Sequence, residues 1–327
     1  MQNKILTISV AAYNVEKYIE EALSSTIVDE YMDYLEIIIV DDGSNDSTSE
    51  LVQKYVDQWP NSIIYVKKEN GGYGSTINLS VKIARGKYFR LLDGDDCLCP
   101  DALRKLIDFL LSGIDIDAIV SQAAKFGAFT KENIFDFPDD ITFGHIDNLI
   151  GCGDIAAWGF TFRTDLVNRD WMNLPEKKLY TDRIYLVQTL KKVENIYFSN
   201  NVLYRYRIGD TSQSTSKRSI CKHYKDILYV DDVICRMVCK NFVANDFLAQ
   251  RVGTYYASTI CMLLEMPKNI KNFCLLTDME HRIKENYPMV YYRAGEEMKR
   301  VKFLRKTKYM AFFFWFIVDG LRKRVKI

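Results

Sequence analysis

Leu35-Glu36-Ile37-Ile38-Ile39-Val40 runs straight into Asp41-Asp42-Gly43-Ser44, and Tyr88-Phe89-Arg90-Leu91-Leu92 runs straight into Asp93-Gly94-Asp95-Asp96. Each is an apolar run of strand length, rich in β-branched or aromatic residues, that stops at a carboxylate cluster containing a turn-forming glycine. Outward from these two, strands are expected over residues 5–11, 35–40, 62–67, 87–92 and 118–121. Amphipathic helices are expected over 15–28, 47–58 and 75–84, and Pro100-Asp101 suits the start of another. Strand and helix in alternation predict βαβ units and an α/β fold, a Rossmann-like, mostly parallel sheet flanked by helices. In such sheets ligands bind at the carboxyl ends of the strands, so both acidic clusters fall on the functional edge.

Composition limits what the chain does. Its 327 residues are 48% hydrophobic and 27% charged, enough for a large core and an appended unit. Forty-four basic and 43 acidic side chains nearly cancel, which gives no electrostatic reason to bind nucleic acid. The eight cysteines form no Cys-x-x-Cys pair and no zinc-spaced cluster, so reduced thiols in a cytoplasmic protein are expected. The first residues run directly into Glu16, Lys17 and Glu20, unlike a secretory signal. No apolar run is long enough for a transmembrane helix.

Asp41, Asp42, Asp93, Asp95 and Asp96 on one edge would repel one another unless a cation or hydrogen-bond donors compensate them. Oxygen ligands without His or Cys select Mg²⁺ or Mn²⁺, and Mg²⁺ is usually held by one or two carboxylates together with substrate phosphates. A phosphorylated donor follows. Taken singly, such Asp/Gly/Ser strings are ordinary turns; it is their recurrence after two sheet strands that favours a site.

These residues resemble the GT-A glycosyltransferases of family 2. The resemblance rests on Ser9-Val10-Ala11-Ala12-Tyr13-Asn14, Val40-Asp41-Asp42-Gly43-Ser44, Asn70-Gly71-Gly72-Tyr73-Gly74 with Asn78, and Ala84-Arg85-Gly86 leading to Asp93-Gly94-Asp95-Asp96. It covers about the first 215 residues. It implies an inverting transfer of a sugar from a nucleoside-diphosphate donor, commonly UDP-linked, with Mn²⁺ or Mg²⁺ as cofactor. Ala11, Tyr13, Asn70, Gly72, Asn78 and Gly94 would line the donor, Asp41 or Asp42 would meet its base, Asp93 its ribose, and Asp95 would ligate the metal. The family places a general base in a segment similar to Pro175-Glu176-Lys177-Lys178-Leu179-Tyr180-Thr181-Asp182, which makes Asp182 the catalytic candidate, although Asp is also a good helix N-cap. Arg207, in Tyr204-Arg205-Tyr206-Arg207, is a candidate clamp on the diphosphate or simply part of an alternating Tyr/Arg surface strand.

The chain departs from the family in having Ala12 where proline is frequent, Ile77 where Arg often precedes Asn78, and Thr181 where a second carboxylate often precedes Asp182. The Gly-Gly-Tyr-Gly variant is similar to a subset linked to capsular and exopolysaccharide assembly, which implies a saccharide or lipid-linked saccharide acceptor. Three other readings have related folds. A sugar-activating nucleotidyltransferase would place a glycine-rich, basic phosphate loop after the first strand, and this chain has none. A dinucleotide oxidoreductase would need a third glycine after Gly72-x-Gly74, where Ile77 and Asn78 stand; a non-catalytic sugar-nucleotide scaffold or sensor would not need Asp93, Asp95 and Asp182 intact.

The expected division is residues 1–215 as catalytic domain, with 1–120 the nucleotide-sugar half and 121–215 the acceptor half, and 216–327 as a helical region. Near the end, Met310-Ala311-Phe312-Phe313-Phe314-Trp315-Phe316-Ile317-Val318 is flanked by Lys299, Arg300, Lys302, Arg305, Lys306 and Lys308 and by Arg322, Lys323, Arg324 and Lys326. Apolar aromatics between cations suit the inner face of an anionic cell membrane. A core helix or a contact in a homo-oligomer is the plainer alternative.

Overall fold

A computed structural model describes residues 4–126, 134–135, 137, 142–167, 172–208, 217–240 and 246–314. The chain forms two compact units, 1–210 and 211–327.

In the first unit the elements run β1 (Leu6–Ala12), α1 (Ile19–Ser24), β2 (Leu35–Asp41), α2 (Thr48–Gln58), β3 (Ile63–Lys67), α3 (Tyr73–Ile83), β4 (Tyr88–Asp93), β5 (Cys97–Leu98), α4 (Pro100–Leu111), β6 (Ala118–Phe126), β7 (Phe143–His145), β8 (Phe160–Arg163), α5 (Asp182–Leu190) and β9 (Asn195–Arg207). The sheet order is β3-β2-β1-β4-β8-β6-β9-β5, with β7 also on β9. The expectation of a mostly parallel sheet holds for β1 to β4, whose three pairings are parallel. Beyond β4 the sheet is mixed: β6 runs parallel to β9, whereas β8 runs antiparallel to both β4 and β6, and β5 and β7 run antiparallel to β9. Short β8, without a crossover helix before it, has no need to be parallel.

Every residue of β2 is buried, as a central strand covered on both faces should be. Buried Glu36 accepts from Thr7 Oγ1 (2.7 Å) and from the Arg85 backbone N–H (2.7 Å), and pairs with the Arg85 guanidinium. The Arg85-Gly86 part of the sequence motif therefore ties down the starts of the strands, away from the acidic clusters.

The helix expected over 15–28 is shorter, Ile19–Ser24. At its front, Asn14 takes φ 52° and its N–H donates to Ser44 Oγ, while the Val15 N–H donates to Thr48 Oγ1. At its back, the Ser25 and Thr26 hydroxyls donate to the Ala22 and Leu23 carbonyls and compete with helix propagation. A 3₁₀ turn, Ala157–Gly159, precedes β8.

The second unit is helical: α6 (Lys217–Lys240), α7 (Asp246–Leu263), α8 (Ile270–Asn286), α9 (Pro288–Glu297) and α10 (Lys299–Lys306). Pro288 at the first turn of α9 and the Asn269 side chain capping α8 mark two of these starts.

Candidate active site

The strand order turns back at β1, which has β2 on one side and β4 on the other, so a crevice opens at the carboxyl ends of these strands. Register sets Ala12 beside Asp41 and Ala11 beside Asp93. The two acidic clusters thus flank the end of one strand. The Ala12 carbonyl accepts the Asp42 N–H at 2.8 Å, and the Ala11 carbonyl accepts the Gly94 N–H at 2.9 Å. A Cβ on residue 94 would stand 2.8 Å from the Ala11 oxygen, so only glycine allows this approach. Tyr13, 50% exposed, follows at the rim.

Asp41 and Asp42 are both buried, and their carboxylates are taken up by the protein itself. Asp41 accepts from the Ser44 N–H (2.7 Å), Ser49 Oγ (2.9 Å) and Tyr65 Oη (2.7 Å). Burial pushes its carboxyl up, yet the hydrogen bonds from Ser44, Tyr65 and Ser49 more than offset this and hold it below the usual range. Asp42 accepts from Lys68 Nζ (2.7 Å), the Gly71 N–H (2.8 Å) and the Gly72 N–H (2.7 Å). With Asn70 Nδ2 donating to the Asp42 carbonyl (3.0 Å), this carboxylate shapes the whole Asn70–Gly72 loop. Both side chains thus build the loop walls.

The glycines of that loop answer to a distant segment. Gly72 has φ 83°, and a Cβ there would meet Lys177 N at 3.2 Å; at Gly74 it would meet the Pro175 oxygen at 2.8 Å. The Lys177 N–H in turn donates to the Gly71 carbonyl. Asn78 completes the junction, its Nδ2 donating to the Leu174 carbonyl (3.0 Å) and its Oδ1 accepting the Leu174 N–H (2.8 Å). Its amide holds the segment that begins at Leu174 against α3. Ile77, where an Arg was looked for, is buried in the core.

The segment so held leads to Asp182 at the first position of α5, with Lys177 (φ 54°) and Tyr180 (φ 65°) in the left-handed region on the way. Two non-glycine residues in that region within four positions are a local strain that the packed surroundings sustain. Burial raises the Asp182 carboxyl above its usual range, against the opposing pull of the Arg183 cation and of backbone N–H groups at the helix start.

At the end of β4, Asp93 Oδ1 accepts from Tyr73 Oη at 2.7 Å. Burial, then the charges of Asp96 and Asp95, push Asp93 well above the usual carboxylate range; the Asp182 charge acts in the same direction. Asp182 also raises the Tyr73 phenol. The structure thus brings Asp93, Asp95, Asp96 and Asp182 together, with Tyr73 bonded to one and coupled to another. Asp96 accepts from Tyr204 Oη (2.6 Å) and from the Arg207 N–H (2.7 Å), and burial pushes it up to about 7.

Arg207 Nε donates to the Asp95 carbonyl at 2.7 Å, its guanidinium pairs with Glu21, and it lies over the rings of Phe126 and Tyr18 at 4.4 and 4.6 Å. Arg207 thereby braces the backbone of the Asp95 turn. Trp158 stacks on Tyr204 at 4.3 Å and faces Tyr206 at 5.8 Å, while its carbonyl accepts from buried Arg90 at 2.7 Å. Sequence reasoning passed over Tyr73, Tyr204 and Glu21. Only the tyrosines carried a signal, one inside a glycine-rich motif and one on a strand whose register meets β5.

The oxygen donors at this edge fit a hard divalent cation. Asp96 has both oxygens bonded by protein donors and Asp93 has one; Asp95, between them, is the residue that would ligate the cation. No group of three His, Cys, Asp or Glu converges on a cage among the described residues. One or two carboxylates suit a cation that completes its shell with phosphate oxygens and water, not one enclosed by protein.

Residues 7–159 match the family described as Glycosyl transferase family 2. An uncharacterized glycosyltransferase of Rickettsia prowazekii, RP339, is 28% identical over 227 residues, covering 68% of this chain and 70% of that protein. The structure of S. aureus TarS 1–349 in complex with UDP-GlcNAc superposes with a TM-score of 0.61 at 17% identity, covering 91% of each chain. The mannosyltransferase PcManGT of Pyrobaculum calidifontis, in complex with GDP-Man and Mn²⁺, superposes with a TM-score of 0.53 at 15% identity over 93% of this chain and 86% of that one. The sheet is that of the GT-A glycosyltransferases, and over residues 7–159 the chain is similar to glycosyl transferase family 2.

Proposed function

We propose that this glycosyltransferase is an inverting, metal-dependent enzyme that moves a sugar from a UDP-linked donor to a saccharide or lipid-linked saccharide acceptor in cell-surface polysaccharide synthesis. One observation carries the reading: Asp182, at the start of α5, converges on Asp93 and Tyr73 at the carboxyl edge of the sheet. The UDP-GlcNAc of TarS and the GDP-Man and Mn²⁺ of PcManGT support the donor class and the cation.

The Asp41–Ser44 turn and the Asn70–Gly72 loop, each built around an aspartate, form the walls for the base. Asp93 faces the ribose. Asp95, with Asp93 beside it, would hold Mn²⁺ or Mg²⁺, which when bound supplies positive charge to the diphosphate leaving group. Asp182 accepts the proton of the acceptor hydroxyl as that oxygen attacks the anomeric carbon from the face opposite the diphosphate, which inverts the configuration. A buried carboxylate with a raised pKa is a stronger base than a solvated one. Trp158, stacked on Tyr204, lies on the acceptor side.

The test is release of UDP from a panel of UDP-sugars with Mn²⁺ or Mg²⁺. Turnover of one donor that vanishes in Asp95→Asn supports the reading. Tight UDP binding with no turnover of any UDP-, GDP- or dTDP-sugar, with lipid acceptors supplied, would favour the non-catalytic sensor.

The membrane reading is proposed in a revised form. Ala311 and Phe312 are buried in the helical unit, and Arg305 is paired with buried Glu280, so these members of the aromatic-basic run are core residues. The exposed ones are Met310 (53%) and Phe314 (56%), with Ile270 (69%) one turn from Phe273, which stacks on Phe313 at 5.0 Å. Lys271, Lys302, Lys306 and Lys308 are exposed, and no acid occurs from Lys299 to Phe314. An apolar surface among cations suits an anionic leaflet. Among the described residues no helix is long and apolar enough to cross a membrane; Trp315–Val318 and the cations from Arg322 to Lys326 lie outside the described residues. Co-sedimentation with anionic vesicles that persists in Ile270→Ser/Phe314→Ser would defeat this placement.

A further inference from the structure

We propose that Tyr73 is a specificity-determining residue that makes donor binding depend on a ribose hydroxyl. The inference rests on the reading of Asp93 as the group facing the ribose.

A tyrosine hydroxyl has one proton to give, and that of Tyr73 goes to Asp93 Oδ1 at 2.7 Å. On the other side of Asp93, its backbone N–H donates to Tyr204 Oη at 3.3 Å, and Tyr204 passes its own proton on to Asp96 at 2.6 Å. The backbone and one carboxylate oxygen of Asp93 are therefore pinned by two different tyrosines. Oδ2 receives no hydrogen bond from any described residue. Oδ2 keeps its full capacity to accept, and the bond at Oδ1 fixes its direction.

The position of Tyr73 is equally determined. It is the first residue of α3, follows Gly72 at φ 83°, and precedes Gly74, whose Cα lies so close to Pro175 that no side chain fits. The Gly-Gly-Tyr-Gly sequence thus delivers one hydroxyl to one carboxylate oxygen. A site built to bond a substrate hydroxyl discriminates against the analogue that lacks it, because the buried acceptor is left unpaired. Without the Tyr73 hydroxyl, the Asp93 carboxylate is free to turn and both oxygens are open to water, so that penalty disappears.

The experiment is titration calorimetry of the full chain with Mn²⁺ and UDP, or UDP lacking the 2′ or the 3′ hydroxyl, for the parent protein and Tyr73→Phe. The parent is expected to bind UDP about 10- to 100-fold more tightly than one of the deoxy analogues, the range of a hydrogen bond to a charged group. In Tyr73→Phe the ratio should fall to about threefold or less, by weaker binding of UDP with the deoxy affinity nearly unchanged. Asp93→Asn provides a second reading if Tyr73→Phe does not fold: Tyr73 would bond the amide oxygen and turn the NH₂ toward the ribose, so the ratio should change there too.

A ratio unchanged in Tyr73→Phe, or equal weakening of all three nucleotides, would overturn the proposal, the second outcome marking a purely structural residue. A parent protein that binds UDP but ignores both hydroxyls would overturn it together with the ribose role of Asp93, while leaving the UDP-donor reading intact. Absence of UDP binding would sink both.

Discussion

The side-chain amide of Asn78 bonds both backbone groups of Leu174, donating to its carbonyl at 3.0 Å and accepting its N–H at 2.8 Å. Helix α3 and the segment leading to Asp182 are joined there as two strands of a ladder would be. Each bond is worth about 1 kcal/mol, and leaving the buried partners unsatisfied costs about 1–3 kcal/mol. Asn78→Ala should lower the thermal midpoint and cut sugar transfer by about 10-fold or more through misplacement of Asp182, with UDP affinity changed about twofold at most. Parallel calorimetry and transfer assays check this; equal loss of binding and transfer would return Asn78 to the donor site.

The raised carboxyls of Asp93, Asp96 and Asp182 set a pH dependence. A group whose folded pKa lies above its unfolded value stabilises fully below the unfolded value, and this contribution is lost as pH rises through the folded one. For Asp96 that window runs from 3.8 to about 7. The nucleotide- and metal-free protein should therefore become less stable as pH rises from about 4 to about 7, and Asp96→Asn should flatten the slope. Asp41, held low by its hydrogen bonds, acts the other way and weakens the fold only in stronger acid. Thermal melts across this range, without added cation, give the answer.

In the helical unit, fully buried Glu280 accepts from Arg305 Nε (2.7 Å), Tyr256 Oη (2.7 Å) and Tyr309 Oη (3.1 Å). Removing one partner of such a pair strands the other charge and costs about 3–5 kcal/mol. Arg305→Ala should melt this unit at markedly lower temperature, whereas Lys306→Ala, exposed one residue away, should change little. Equal effects would mean that Arg305 belongs to the cationic surface rather than to the core.

Much of the fold was legible because β1 to β4 each end where an apolar run meets a polar turn, and those runs lie one after another in the chain. Asp93, Asp95 and Asp182 could be picked out by residue type and motif order. What the carboxylates bond was hidden, since their partners come from far along the chain. Asp42 is met by Gly71 and Gly72 across 29 and 30 positions, Asn78 by Leu174 across 96, and Asp95 by Arg207 across 112. Composition alone offers no means to tell an aspartate that builds a loop from one that faces a ligand. The same holds for Arg305, which pairs with buried Glu280 while Lys306 beside it is exposed.

The most direct test of the account compares binding with chemistry in Asp182→Asn. UDP with Mn²⁺ is titrated into the variant and the parent, and transfer from the productive UDP-sugar is measured on the same preparations. A general base that touches only the acceptor hydroxyl should leave UDP affinity within about threefold while transfer falls by about 10²- to 10⁴-fold. Transfer that stays within about threefold of the parent, in a folded variant, would contradict Asp182 as the base.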